Sequence, residues 1–336
     1  MAATIRKSQK QGEPGAPRPI RIRHHGGYRG NMLMLRLGSL FLPLGYAAVA
    51  AAAAWFWLAE RPARAASEDF LERIFGRQSR LRRGWQSYRH MNMYGKMLLD
   101  RSVFLAGLDR RFLVDSLDEP NIRDALRRRR GLLILTGHFG CAEISAPLLQ
   151  QLDPGRPLHF VRYANPRDAT EQFQRDQWKK LAAARWINSF DPLAAGVEIM
   201  AALQRGECVA MQADRAMRGR TIPATLLGRR VDLPAGPFTA AVVGEAVVVC
   251  AFTFRAGYRR YRTCISPPRC YVPSSGVSKE AAIAQAAGDY ARELEKLLKL
   301  HPYQWGNFYR FWDGAPAVGQ SPESSNSSTQ AGVPAT

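Results

Sequence analysis

LLILTGHFGCAE, residues 132–143, passes from an apolar, strand-like run into a glycine-flanked turn and on toward an acid. The turn presents His138, with Glu143 five residues further along. Residues five apart on a regular helix point roughly 140° away from each other. The spacing therefore places His138 in a strand-to-helix turn and Glu143 one turn inside the helix. There the carboxylate fixes the imidazole tautomer and stabilises the imidazolium that forms once the ring takes a proton. The other five histidines, His24, His25, His90, His159 and His301, have no acid at that offset. A histidine at a helix start beside an exposed glutamate would give the same spacing, so the offset needs its context.

Working outward, short apolar runs alternate with helical stretches. Strands are expected at Leu132–Thr136, Leu158–Tyr163, Cys208–Gln212 and Val247–Phe254, with Tyr258–Ile265 as the hairpin partner of the last. Helices are expected at Ser67–Phe75, Gln86–Gly107 in part, Ile144–Gln151, Pro166–Ala184, Pro192–Gln204, Phe238–Gly244 and Lys279–Leu300. This order predicts an α/β fold, a mostly parallel central sheet flanked by helices on both faces. His138 then lies just past the carboxyl end of a strand, where open α/β sheets place ligand chemistry.

With 46% apolar residues in 336, the chain can bury a large core, and residues 59–313 read as one domain. The tails 1–36 and 314–336 read as disordered, the first basic and the second rich in Ser, Ala and Pro. The formal net charge is +20, of which residues 1–36 carry +7. Such a charge implies an anionic partner: nucleic acid, an anionic bilayer face or an acidic carrier protein. The five cysteines are scattered without a CxxC pair, which fits reduced thiols in a cytoplasm-facing protein. Leu37–Leu58 is uncharged over 22 residues and as a helix would reach about 33 Å, enough for a bilayer core. Pro43 and Gly45 interrupt it, so a single span and a re-entrant or interfacial helix both remain open. Basic residues on both sides leave its orientation undetermined.

GHFGCAE resembles the His-(four residues)-Asp/Glu block of glycerolipid and lipid A acyltransferases. Further along, HFVRYANP at 159–166, QADR at 212–215, LLGRRVDLPAGPF at 226–238 and PYQWGNFYRFW at 302–312 follow in the order seen in the bacterial late (lauroyl/myristoyl-type) lipid A acyltransferases. The chain departs from that family at Cys141-Ala142, usually Asn-Trp, and at Leu226-Leu227, usually Phe-Phe. The resemblance implies a glycerolipid acyltransferase-like fold with an N-terminal membrane helix, at a bacterial inner membrane with the catalytic domain facing the cytoplasm. It implies fatty acyl transfer from an acyl carrier protein or acyl-CoA thioester to a hydroxyl of a lipid A precursor or related glycolipid, without a cofactor and without nucleic acid as a partner. Other acceptors, such as an ornithine lipid, a phospholipid or a polyene pigment lipid, and a non-catalytic membrane-binding homologue remain alternatives. A serine hydrolase is disfavoured, because no G-x-S-x-G occurs.

In this reading His138 is the base and Glu143 its orienter. Gly137 and Gly140 let backbone N–H groups approach the oxyanion. Arg162, Asp214 and Arg215 follow apolar runs, so they are expected on the same strand-end edge. There the arginines would hold phosphate or phosphopantetheine while Asp214 orders the site; an internal ion pair is the plainer option. Arg229-Arg230 and the following Pro234–Pro237 look like the family's phosphate-side loop, or else a hairpin turn beside a solvated basic pair. Cys141 is a competing nucleophile three residues from the imidazole. No metal is expected, since His159 and the scattered cysteines make no ligand-spaced cluster.

Overall fold

The computed structural model describes residues 28–116, 118–163, 184–216, 219–273 and 276–312. Four helices come first: α1 (Tyr28–Leu40), α2 (Leu42–Ala59), α3 (Arg61–Phe75) and α4 (Arg80–Val103). Among the described residues nine strands follow, β1 (Leu113–Ser116), β2 (Leu132–Thr136), β3 (Leu158–Arg162), β4 (Ala184–Asn188), β5 (Cys208–Gln212), β6 (Thr221–Leu226), β7 (Arg229–Pro234), β8 (Val247–Gly257) and β9 (Arg260–Ile265). Between and after them lie α5 (Glu119–Arg127), α6 (Ala146–Leu152), α7 (Pro192–Gln204), α8 (Ala235–Val243) and α9 (Lys279–Leu300).

Seven strands form one sheet in the order β1-β9-β8-β2-β5-β3-β4. β8, β2, β5, β3 and β4 pair in parallel, and β9 turns back antiparallel on β8 with β1 parallel beside it. The expected α/β sheet and its β8–β9 hairpin are therefore present. β2 is buried along its whole length, as a central parallel strand covered on both faces should be. Leu133 and Leu135 join the larger core under α7, α8 and α9, while Leu132 and Ile134 face α5 and α6.

Two edge strands extend the sheet beyond the sequence expectation. β4 begins at Ala184, where the Pro166–Ala184 helix was expected to end, and the rest of that stretch lies outside the described residues. β1 is four residues long and alternately exposed, too short to leave a clear periodic signal. β6 and β7 form a separate hairpin joined by Leu227 and Gly228, both at positive φ, the backbone that a two-residue hairpin turn requires.

The uncharged N-terminal stretch is broken into two helices at Phe41, which is extended at φ −148° just before Pro43 enters the first turn of α2. Proline fits there because its missing N–H has no helical partner to lose. Tyr28–Arg36, expected in the disordered tail, instead belongs to α1, while residues 1–27 and the tail 314–336 lie outside the described residues. Among the described residues, α2 alone is apolar and long enough to cross a membrane, about 27 Å at 1.5 Å per residue. It is not detached from the domain. Leu42, Gly45, Val49 and Ala53 recur at helical spacing and are buried on one face. A Cβ on Gly45 would lie 2.8 Å from Leu99, and one on Gly95 would lie 2.8 Å from Val49. Glycine thus sets the close crossing of α2 on α4. Asp100 of α4, fully buried, accepts from Tyr46 of α2 at 2.5 Å and from Tyr261 of β9 at 2.7 Å, and Arg255 of β8 pairs with it at 3.2 Å.

Candidate functional site

β2 and β5 are neighbours in parallel register, with Thr136 opposite Gln212. His138 and Asp214 each stand two residues beyond that last pair, so the register itself brings them side by side. The imidazole Nδ1 lies 2.8 Å from Asp214 Oδ1, and the backbone N–H of His138 donates to Oδ2 at 2.9 Å. Trp305 Nε1 donates to the same Oδ2 at 2.9 Å. Asp214 is 2% exposed. Burial alone would raise its carboxyl pKa, but His138, Arg215 and the Trp305 donor outweigh that and hold it at about 2. The carboxylate is consequently ionised at neutral pH and accepts from Nδ1, which leaves the lone pair on Nε2. The His138 side chain is 23% exposed, so this basic nitrogen is accessible from the strand-end edge.

The turn is clamped by residues 304–309. Gly306 N–H donates to His138 C=O at 2.6 Å, and Gly140 N–H donates to Gln304 C=O at 2.9 Å. Arg215 Nη2 donates to Gly306 C=O at 2.8 Å, with its guanidinium 5.0 Å from the Tyr309 ring centroid. Trp305 is 1% exposed and packs edge-on against Phe70 and Trp312. Its carbonyl meets His90 Nε2 at 2.6 Å, while His90 Nδ1 meets Ser67 Oγ at 2.9 Å. Burial lowers the His90 pKa to about 4. In the aromatic cluster at 303–312, Trp305 and Trp312 are thus buried in the core, with Trp305 turned to the site.

Both glycines of the turn are explained by close contact. A Cβ on Gly137 would sit 2.8 Å from Tyr290 Oη and 3.2 Å from Asp214 Cγ. Gly140 has φ +64°, and a Cβ there would fall 1.8 Å from Thr253 C=O. Their expected service as oxyanion donors is not what the geometry gives for Gly140, whose N–H is committed to Gln304, nor for the intervening His138 N–H, committed to Asp214.

Glu143 does lie in the helical turn after His138, in a 3-10 segment leading into α6. Its carboxylate makes an ion pair with Arg101 of α4 at 3.4 Å, and no hydrogen bond joins it to His138. The expected orienter is therefore replaced by Asp214: the strand register delivers that carboxylate to Nδ1, whereas Glu143 lies on the side facing α4. Arg162 ends β3, next to β5, and so stands on the same edge. Arg229 and Arg230 are exposed at the start of β7 just after the hairpin turn, with Arg230 3.8 Å from Asp232. The hairpin turn lies before them, at Leu227–Gly228, and Pro234 leads directly into α8, which begins at Ala235, three residues before the expected start.

Cys141 is buried at 2% exposure, its thiol 3.4 Å from Met97 C=O and its N–H bonded to Thr253 C=O. Burial first, and the nearby Glu143 next, push its pKa well up, so it stays a protonated thiol. Among the described residues no group of three or more His, Cys, Asp or Glu side chains could hold a metal ion.

A strand-end histidine hydrogen-bonded to a buried carboxylate, on a mostly parallel α/β sheet, is the arrangement that general-base chemistry requires. The family profile described as bacterial lipid A biosynthesis acyltransferase matches residues 30–313, and the chain belongs to that family. The match includes α1 and α2. A comparison with curated proteins returned no match.

Proposed function

We propose that the protein is a membrane-bound acyltransferase that moves a fatty acyl group from an acyl carrier protein or coenzyme A thioester to a hydroxyl of a lipid A precursor or related glycolipid. The proposed place of action is the cytoplasmic face of a bacterial inner membrane. The observation that carries this reading is the Asp214–His138 pair with Nε2 left basic and accessible. Nε2 takes the proton of the acceptor hydroxyl as its oxygen attacks the thioester carbonyl. The tetrahedral intermediate then expels the thiolate, and the imidazolium returns the proton to sulfur. Asp214 stabilises the imidazolium. With the His138 and Gly140 N–H groups committed elsewhere, Arg162 and Arg215 are assigned to the oxyanion and to substrate phosphate. Glu143 is assigned to positioning through Arg101, and Arg229 and Arg230 to head-group contact from the hairpin. α2, with Trp55 and Leu58 exposed near its end, is assigned to the bilayer.

A second acceptor class within the same chemistry is favoured by one observation. Ala142, where the family usually carries Trp, lines an apolar cavity between the sheet and α6 together with Ile134, Thr136, Leu149, Phe160 and Ala210. Space gained there fits a different acyl chain or lipid. Mass spectrometry of lipids from cells lacking and over-producing the protein tests both readings: the acylated product must disappear in the first and rise in the second. Failure of the His138→Ala protein to abolish that rise would overturn the proposed chemistry.

A further inference from the structure

α2 touches the rest of the protein along its whole length. Near its start Tyr46 donates to Asp100 of α4, and the carbonyl of Ser39, just before the helix, accepts from Arg111 Nη1 at 2.6 Å. Midway, Tyr88 Oη donates to Ala50 C=O at 3.4 Å, and a Cβ on Gly95 would lie 2.8 Å from Val49. Near its end, a Cβ on Gly84 would lie 3.3 Å from the Trp57 ring, and Trp57 C=O accepts from Arg64 Nη1 at 3.1 Å. α4 therefore runs antiparallel beside α2 from Gly84 to Leu99, and Arg89 and Lys96 lie between those contacts.

The opposite side of α2 is exposed and carries no charge. Leu44, Ala47, Ala51, Trp55 and Leu58 recur at spacings of three and four and form one exposed stripe, about 21 Å long at 1.5 Å per residue. A helix that covers a water-soluble domain shows polar residues on this side. α2 is instead apolar all round, as a helix is when one side meets protein and the other hydrocarbon. Arg36 and Arg61, both exposed, stand beyond its two ends, where anionic head groups would meet them.

We infer that α2 lies flat in one leaflet of an anionic bilayer, with its Leu44–Leu58 stripe in the acyl boundary and its other side on α4, and does not span. A bilayer crossed by α2 would also enclose α4 and bring Arg89, Lys96 and Asp100 to hydrocarbon depth, where ionised side chains are strongly disfavoured. A flat helix leaves those groups on the water side and immerses the stripe alone, to the depth of about 5–10 Å usual for an interfacial helix. The same placement sets the height of the site. α4 meets α2 through Gly84, Tyr88, Gly95 and Leu99. Its other side meets the catalytic turn, with Tyr94 against Gly306, Met97 C=O at the Cys141 thiol and Arg101 paired with Glu143. One helix layer, roughly 10 Å between axes, thus separates the turn that carries His138 from α2, so a lipid hydroxyl can approach the turn without leaving the leaflet. This inference rests on the proposed membrane-bound acyl transfer and names the surface that serves it.

The test places a nitroxide spin label on Leu44→Cys, Ala51→Cys and Leu58→Cys, one at a time, in the full chain with Cys264→Ser and Cys270→Ser, which removes the cysteines that are not buried. Each protein is reconstituted by detergent removal into vesicles of phosphatidylglycerol and phosphatidylethanolamine, a route by which a spanning helix can also insert. Depth is read from relaxation by oxygen, which concentrates in hydrocarbon, against relaxation by a water-soluble nickel chelate. The expected result is one shared depth for the three labels, within about 10 Å of the head-group boundary. A label at position 51 deeper than those at 44 and 58 by about 10 Å would overturn the inference and make α2 a span. A depth that decreases steadily from 44 to 58 would also overturn it, with the break at Phe41 inserted as a re-entrant tip. Three labels in water on vesicle-bound protein would overturn it as well and move the contact to another patch. All three positions are exposed, so the labelled proteins should unfold at the wild-type temperature; Ala47→Cys and Trp55→Cys, on the same stripe, replace any that do not. Acyl transfer in detergent by a protein with one of the overturning depth patterns leaves the acyltransferase reading standing without this inference. A wild type that neither binds these vesicles nor transfers acyl groups takes both down.

Discussion

Asp214 holds His138 at two points, the imidazole Nδ1 at 2.8 Å and the backbone N–H at 2.9 Å. One carboxylate thus fixes both the ring and the peptide that carries it. His138→Ala is expected to lower acyl transfer by at least about 10²-fold, the usual worth of a general base. Asp214→Asn should approach that loss, while Glu143→Gln should cost less, because Glu143 is paired with Arg101 and not with His138. Steady-state assay of the three folded variants decides the order. A Glu143→Gln loss equal to that of His138→Ala, with Asp214→Asn nearly normal, would return Glu143 to the role of orienter.

The sequence already held the pairing of these two residues, in a form that single motifs hide. Leu132–Thr136 and Cys208–Gln212 are both five-residue apolar runs, and each is followed at the second position by a polar group, His138 and Asp214. Once the two runs are neighbouring parallel strands in register, the side chains must meet. The five-residue offset to Glu143 drew attention because it is local, whereas the partner lies 76 positions away. Trp305 and Arg101 were harder still. A tryptophan in an aromatic cluster reads as core, and nothing local in α4 marks Arg101 for Glu143. Four strands escaped: β1 and β4 lie at the sheet edges and β6 and β7 form the separate hairpin, where the fully apolar run that marks a central parallel strand is missing.

Cys141→Ala should remain active, and no acyl group should appear on Cys141 after exposure to donor. Its thiol is buried, bonded to Met97 C=O and held protonated by its surroundings, so it is not the thiolate that nucleophilic attack needs. Intact-protein mass measured after mixing with acyl thioester checks this. A donor-dependent adduct that Cys141→Ala abolishes would make the enzyme a two-step one.

Gly140→Ala should fail to fold stably, whereas Gly155→Ala, with open space around its Cβ, should be tolerated. The Gly140 Cβ would overlap the Thr253 carbonyl, a backbone atom in β8 that cannot swing aside, and the residue has φ +64° besides. Thermal unfolding of the two variants is the measurement. A Gly140→Ala protein as stable as wild type would show that the turn is looser than its contacts require.

His90 makes stability depend on pH below neutrality. Its folded pKa is lowered to about 4 by burial, against about 6.5 in the unfolded chain. Between those values the unfolded state binds the extra proton, so stability falls as pH drops from about 6.5 to 4, by up to about 3 kcal/mol. Asp214 acts lower: with a folded pKa of about 2, its contribution is present above about pH 4 and disappears as pH falls toward 2. Urea unfolding of wild type and His90→Gln at pH 7, 6 and 5 separates the two. His90→Gln should flatten the slope in this range, and an unchanged slope would assign the dependence to other groups.

The packing of α2 on α4 predicts what truncation does. Removing residues 1–59 strips Val49 and Leu42 from Met97, Leu99 and Val103, which share one core with them, and takes the Tyr46 hydroxyl from buried Asp100. A buried carboxylate that keeps Tyr261 and Arg255 but loses its Tyr46 donor, together with an uncovered apolar helix face, should leave the shortened protein poorly soluble or unfolding at a much lower temperature. Membrane contact is better probed on the intact chain. Trp55 and Leu58 are 74% and 62% exposed on the opposite side of α2 from its buried face residues, so Trp55→Ser with Leu58→Ser should leave the fold intact. The double variant should sediment with anionic vesicles at low salt through the +20 charge and release at high salt, where surface charges are screened within about 8 Å or less. The wild type should stay bound under both conditions. Binding of the double variant that resists salt would move the apolar membrane contact from α2 to another exposed patch, with Leu81 and Trp85 of α4, 88% and 59% exposed, the next to replace.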